Sequence, residues 1–216
     1  MIEKISKDKN FREWKQTILN NGNIIMNMDI KGVVIRNDNE MKKILIDCSL
    51  QTPEGNNIKR CILMGKKSIV VVPMLICNDN IYTLMVEQRR IAHGGISVEF
   101  PAGEVSDIDN LQEAAVCEID EEINMNIKPT ELISLNTEPI FLNSDCTYSP
   151  VYFFYFKKHI SKQFLIENDL NKTGVNEDDE YLTTRVFLMK KAKNILTSSA
   201  IIGIRLLEKH LNTIFS

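Results

Sequence analysis

Apolar positions fall along the chain with two periodicities, and each predicts a different element. Phe11, Trp14, Ile18 and Leu19 recur at three- and four-residue steps, which predicts a short amphipathic helix over 10–20, closed by the turn formers Asn21-Gly22-Asn23. Between about Asp29 and Met64 the pattern changes. β-prone runs (Gly32 to Arg36, Lys43 to Cys48, Lys59 to Met64) alternate with polar turns such as Asn37-Asp38-Asn39, as in an antiparallel meander.

A second group of strands is expected at Ser68 to Cys77, Tyr82 to Gln88 and Ser97 to Phe100, separated by Asn78-Asp79-Asn80 and His93-Gly94-Gly95. Pro101-Ala102-Gly103 breaks the last of them, and a helix follows from about Asn110 to Asn124. Strands return at roughly 130–141 and 149–157. Lys158 to Asp179 has few apolar anchors and reads as a loop, Tyr181 to Met189 is β-like, and Ala200 to Leu211 carries helical spacing at Ile201, Ile204, Leu207 and Leu211. Strands on both sides of one helix, with another helix at the end, predict an α/β or α+β sandwich. The meander is expected to form a small antiparallel sheet of its own, giving an organisation of 1–66 and 67–216.

Composition narrows the function. A net charge of -3, with basic residues clustered no more densely than Lys157-Lys158 or Lys190-Lys191, gives no stripe for nucleic acid or an anionic membrane. The longest apolar run, Ile69 to Cys77, is interrupted by Pro73 and too short to span a bilayer, so it reads as a buried strand. Cys48, Cys61, Cys77, Cys117 and Cys146 are odd in number and contain no C-x-x-C pair, which argues against structural zinc or a disulfide framework and for the cytoplasm. No P-loop, dinucleotide fingerprint or Ser-His-Asp pattern is present.

The helix at 110–124 carries the chemistry. Glu118, Glu121 and Glu122 stand at i, i+3 and i+4, which brings their Cβ atoms within about 5–6 Å of their neighbours. Such a triplet fits a solvated helix face. Taken alone, that is the usual meaning of such a triplet; a divalent ion is the less common one, available because carboxylates crowded together repel unless a cation neutralises them, and oxygen donors suit Mg²⁺ or Mn²⁺. The strand end at Glu99-Phe100-Pro101-Ala102-Gly103, just ahead of the helix, favours the metal reading, since ligand chemistry gathers at such junctions.

Segment 103–125, GEVSDIDNLQEAAVCEIDEEINM, resembles the Nudix box, with Gly103, Glu118, Ile119, Glu121, Glu122 and Met125 in register without a gap. It departs from the family pattern at Asp109 (for Glu), Cys117 (for Arg) and Asn124 (for Gly). Asn tolerates the left-handed conformation that ends a helix, whereas Cys117 removes a cation one turn from Glu121. Upstream, Val86-Glu87-Gln88-Arg89-Arg90, Gly94-Gly95 and Glu99 to Gly103 resemble the approach to the box in ADP-ribose and ADP-sugar pyrophosphatases. Downstream, 173–180 resembles their catalytic loop.

The resemblance implies a Nudix-type α/β/α sandwich with a mixed sheet, and a homodimer formed through the N-terminal sheet. It implies metal-dependent hydrolysis of a nucleoside diphosphate sugar such as ADP-ribose or ADP-glucose. Glu118, Glu122 and the Ala102 carbonyl would be metal ligands, with Glu121 a further ligand or a group orienting water. Glu177 or Glu180 would be the base, Arg90 would contact substrate, and Glu99, counted with it in the substrate site, would lie near the metals. The alternative is a degenerate Nudix domain that binds a nucleotide or a partner without turnover, for which Cys117 is the best support. Trp14 is expected to be a core or interface anchor on its helix.

Overall fold

The computed structural model describes residues 2–35, 41–105, 110–174 and 181–215. The chain opens with α1 (Ile2–Lys7) and α2 (Lys9–Asn20). Asp8 fixes the start of α2 because its carboxylate accepts the Phe11 N–H at 2.8 Å, satisfying a donor the helix leaves orphaned. After Gly22, whose φ of 75° suits a residue without Cβ, come β1 (Ile24–Ile35), β2 (Met41–Gln51) and β3 (Asn57–Met64).

β4 (Lys67–Cys77), β5 (Asn80–Arg90), β6 (Gly95–Glu99) and β7 (Ala102–Val105) follow, then α3 (Leu111–Ile123). A 3-10 turn at Pro129–Glu131 leads to β8 (Ile133–Ser134), β9 (Ile140–Phe141), β10 (Thr147–Tyr148) and β11 (Pro150–His159). The chain then runs through α4 (Lys162–Asn168), β12 (Lys172–Thr173), β13 (Leu182–Leu188), α5 (Met189–Ala192) and α6 (Ser198–Leu211). Among the described residues no helix is long and apolar enough to cross a membrane.

Two compact units result. The first is 1–67 with 140–151, and the second is 68–139 with 152–216. In the first, β1, β2 and β3 are antiparallel as the meander predicts, and β10 adds a parallel strand beside β3. Ile44, Ile46 and Cys48, at every second position of β2, turn to a core completed by Met64, Ile5, Phe11 and Trp14. Phe11 and Trp14 sit one turn apart with ring centroids 5.9 Å from each other, so Trp14 is a core anchor of this unit.

The second unit is a mixed α/β sandwich. Ile69, Val71 and Leu75 of β4 pack with Leu84 and Val86 of β5, Phe154 and Phe156 of β11, and Ala115, Ile119 and Ile123 of α3. The alternate residue Val72 faces Gly203 of α6, where Phe100 also lies. β4 is therefore buried on both faces, which explains its apolar run, interrupted only by Pro73. It pairs antiparallel with β5 over Leu75–Cys77, while Val71 N–H donates to Pro101 O at 2.9 Å. Pro73, which has no N–H, falls between those two sets of bonds.

Some expectations need correction. Over 130–141 only Ile133–Ser134 and Ile140–Phe141 pair, each with β11. Asn136 interrupts the run: its side-chain oxygen takes the Phe153 N–H at 2.7 Å and its amide donates to Glu138 O. The stretch 158–179 is not simply a loop. Its helix α4 starts where the Ser161 hydroxyl accepts the Phe164 N–H, and it buries one residue, Leu165. One anchor in seven residues is too brief a period to read.

Helix α6 approaches the sheet closely through Gly203. A Cβ there would lie 2.9 Å from Val72 Cγ2 and 3.1 Å from two ring carbons of Phe100. We expect Gly203→Ala to cost about 1–3 kcal/mol from overpacking, visible as a lower urea midpoint with an unchanged slope.

Candidate metal and active site

The caps of α3 decide which way its carboxylates face. Asn110 Oδ1 accepts the N–H groups of Gln112 (3.2 Å) and Glu113 (3.4 Å) at the start. At the end Asn124 is left-handed (φ 50°, ψ 41°) and its N–H returns to the Asp120 carbonyl. The departure from the family's glycine thus costs the helix little. Between the caps Ala115, Ile119 and Ile123 are fully buried. Each such isoleucine contributes about 1.5–3 kcal/mol, which fixes the rotation of the helix.

That rotation treats the three glutamates differently. Glu122 is 4% exposed, Glu118 is half-buried and Glu121 is exposed. Glu122 Oε2 accepts the Ala102 N–H at 3.0 Å. Burying a carboxylate costs several kcal/mol unless it is hydrogen-bonded, so this bond is central to the site. Glu118 lies over Gly103: a Cβ built there would fall on the Glu118 carboxyl group. The first residue of the box is glycine because the carboxylate takes the space of a side chain.

Glu118 and Glu122 are therefore gathered on the Ala102–Gly103 backbone, while Glu121 stands apart in exposure. Among the described residues no three carboxylate, thiolate or imidazole groups form a closed cation cluster. The donors present, two carboxylates beside a backbone segment, fit an ion that keeps most of its waters and takes phosphate oxygens, as Mg²⁺ does. Two hollows lie elsewhere, of about 620 Å³ beside Phe11 and Met28 and about 250 Å³ beside Ile81 and Met189. They hold none of the box glutamates.

Arg90, at the end of β5, and Glu99, at the end of β6, form a two-pronged ion pair: Nε to Oε1 at 3.1 Å and Nη2 to Oε2 at 2.7 Å. Burial pushes the Glu99 carboxyl up. The Arg90 guanidinium and a hydrogen bond with Ser97 more than offset this and hold it below the usual 4.5. Sequence reading placed both residues near the site but missed that they bind each other. In the hairpin register Arg90 stands opposite Gly95 and Glu99 opposite Val86, so no cross-strand spacing announced the pair.

Glu177 and Glu180, the two candidate bases, and Asp109 lie outside the described residues. The strand leading to 175–180 is nevertheless fastened to the carboxylate helix. Thr173 Oγ1 donates to Glu122 O at 2.6 Å, and Gly174 N–H donates to Glu121 O at 3.3 Å. Two orphan carbonyls of the last helical turn are satisfied in this way. No spacing in the sequence announces that contact. Cys117 is exposed, and all five cysteines are free thiols.

No family model matches the chain. Among curated proteins it is similar to "Nudix hydrolase 14, chloroplastic" of Arabidopsis thaliana, with 23% identity over 194 residues. That match covers 82% of this chain and 62% of the relative, so the chain spans less than two thirds of the relative's length. Among solved structures, one described as an ADP compounds hydrolase is similar in fold. Its TM-score is 0.60 at 14% identity, covering 88% of this chain and 94% of that one. The fold is of Nudix type, and the box resemblance at 103–125 is accompanied by a Nudix relative in sequence.

The lowered Glu99 value has a testable sign. A carboxylate that titrates lower when folded contributes stability in full above its unfolded value, and loses it as pH falls through the folded value. Because Arg90 is 45% exposed, solvent screening limits the pair to about 0.5–1 kcal/mol. We expect Glu99→Gln to be less stable than wild type by that amount at pH 7, with the difference shrinking below about pH 4.5 in denaturant melts run across pH.

Proposed function

We propose that this chain hydrolyses the diphosphate bond of a nucleoside diphosphate sugar (ADP-ribose, ADP-glucose or similar) with Mg²⁺ or Mn²⁺, giving a nucleoside monophosphate and a sugar phosphate. The observation that carries this reading is Glu122, a buried carboxylate of the box held on the Ala102 N–H. The names of the similar proteins, a Nudix hydrolase and an ADP compounds hydrolase, support the reaction type and an ADP-containing substrate.

Glu118, Glu122 and the Ala102 carbonyl would hold the divalent ion, with Glu121 as a further ligand or as the group that orients water. Such an ion neutralises phosphate charge and lowers the pKa of bound water. Glu177 or Glu180 would take the proton of the attacking water, and Arg90 would pair with the diphosphate through its planar fork. The anchoring of Thr173 and Gly174 on the helix supports this role for the following loop.

We also read the chain as a homodimer assembled through its N-terminal sheet. β1 is the edge strand of that sheet, twelve residues long, and exposes Ile24, Met26, Val34 and Ile35. A long apolar edge of this kind calls for a covering partner. The free thiols fit a reducing compartment, the cytoplasm.

The test is to incubate the protein with Mg²⁺ or Mn²⁺ and ADP-ribose, ADP-glucose, UDP-glucose or diadenosine polyphosphates, beside Glu122→Gln. We expect metal-dependent release of a nucleoside monophosphate, reduced at least about 100-fold in the variant, because losing even an outer-shell partner of a metal costs about 10–100-fold. Nucleotide binding with no turnover on any substrate would favour the non-hydrolysing Nudix domain instead. Sedimentation should give a dimer mass, and Met26→Lys with Val34→Lys should shift it to monomer.

A further inference from the structure

We propose that Glu99 is an internal competitor of the substrate: it holds the guanidinium fork of Arg90 and must release it when a diphosphate binds. This rests on the reading of Arg90 as the diphosphate-binding residue. The Nε–Nη2 edge of an arginine accepts two oxygens of a carboxylate or of a phosphate in the same parallel geometry. In this protein that edge is taken, Nε by Oε1 at 3.1 Å and Nη2 by Oε2 at 2.7 Å. One edge cannot hold both anions, so binding a phosphate there requires Glu99 to let go.

The two partners are not equally free to move. Glu99 has 18% of its side chain exposed and Arg90 45%, and Glu99 is further tied to Ser97. Arg90 is the partner that swings. Glu99 ends β6 and Ala102 begins β7, so the exchange takes place within three residues of the backbone that receives the Glu122 carboxylate. Part of the diphosphate's binding energy is then consumed in opening the pair. A ligand that leaves the pair closed bears no such cost, so the pair weakens the binding of diphosphates specifically.

A rival arrangement uses the same contact in the opposite sense: Glu99 orients Arg90 so that its other edge meets the phosphate. The two differ in sign. Binding of ADP to the full chain, measured by calorimetry with a chelator present to remove divalent ions, should tighten roughly two- to fivefold in Glu99→Gln if the pair competes. Damage to the site would weaken binding, so a gain is not the mark of a misfolded variant. Glu99→Asp keeps the charge but withdraws the carboxylate, and it should tighten binding by a smaller factor. Simple loss of charge repulsion would leave that variant unchanged.

Unchanged, weaker or undetectable ADP binding in Glu99→Gln, or unchanged binding in Glu99→Asp, overturns the exchange. Arg90→Ala tests the underlying reading separately. If it leaves ADP binding untouched, Arg90 is not the diphosphate residue. If it weakens ADP binding while the Glu99 variants fail to tighten it, only the exchange is lost.

Discussion

The site depends on one hydrogen bond, from the Ala102 N–H to the buried carboxylate of Glu122. A carboxylate at 4% exposure is a liability that a fold carries only when it is answered. The answer comes from the backbone of the segment joining β6 to the helix-bearing part of the chain, so the bond fixes strand break and helix together. The neighbouring bond from Val71 N–H to Pro101 O fastens the same segment to β4 on its other side. The residues Pro101 to Gly103 thus lie between the central strand and α3 and set the distance between them.

Within that frame the residues of the box have separable physical duties. Ile119 and Ile123 set the helix rotation by burial, Gly103 leaves room for the Glu118 carboxyl group, and Asn110 and Asn124 fix where the helix starts and stops. Thr173 closes the far end by donating to the Glu122 carbonyl. A single residue, Glu122, is therefore held by its side chain at the strand and by its main chain at β12. The position of its carboxylate is over-determined, as preorganised chemistry requires.

What the sequence revealed follows from how local each cause is. The helices at 10–20 and 110–124 were legible because their apolar spacing and caps lie within the segments themselves. The strands of the first sheet were legible for the same reason, and the box was legible because its register is rigid. The parallel strand β10 was not, since it joins β3 from more than 80 residues away and is two residues long. The breakdown of strand 130–141 depends on Asn136 reaching Phe153, a contact no window of neighbouring residues contains. In the candidate site the same division holds. The identities of Glu118, Glu121 and Glu122 could be read from spacing, whereas their unequal burial required the sheet. The Arg90–Glu99 pair required the hairpin.

Cys117 is the departure from the Nudix-box pattern that bears most on the proposed activity, and the structure limits what it can cost. Cys117 and Glu121 are both exposed and one turn apart. Among the described residues, an arginine at 117 would make a surface pair with Glu121, worth about 0.3–0.5 kcal/mol on a helix. The two carboxylates gathered at Ala102–Gly103 are positioned by other means, Glu122 by a backbone donor and Glu118 by the space over a glycine. Neither constraint passes through residue 117. Losing the arginine therefore bears on Glu121, the most exposed of the three, and leaves the architecture around Glu118 and Glu122 standing. A site that keeps a buried carboxylate and the glycine that makes room for its neighbour, while giving up only a surface cation, retains the parts whose placement is hardest to build.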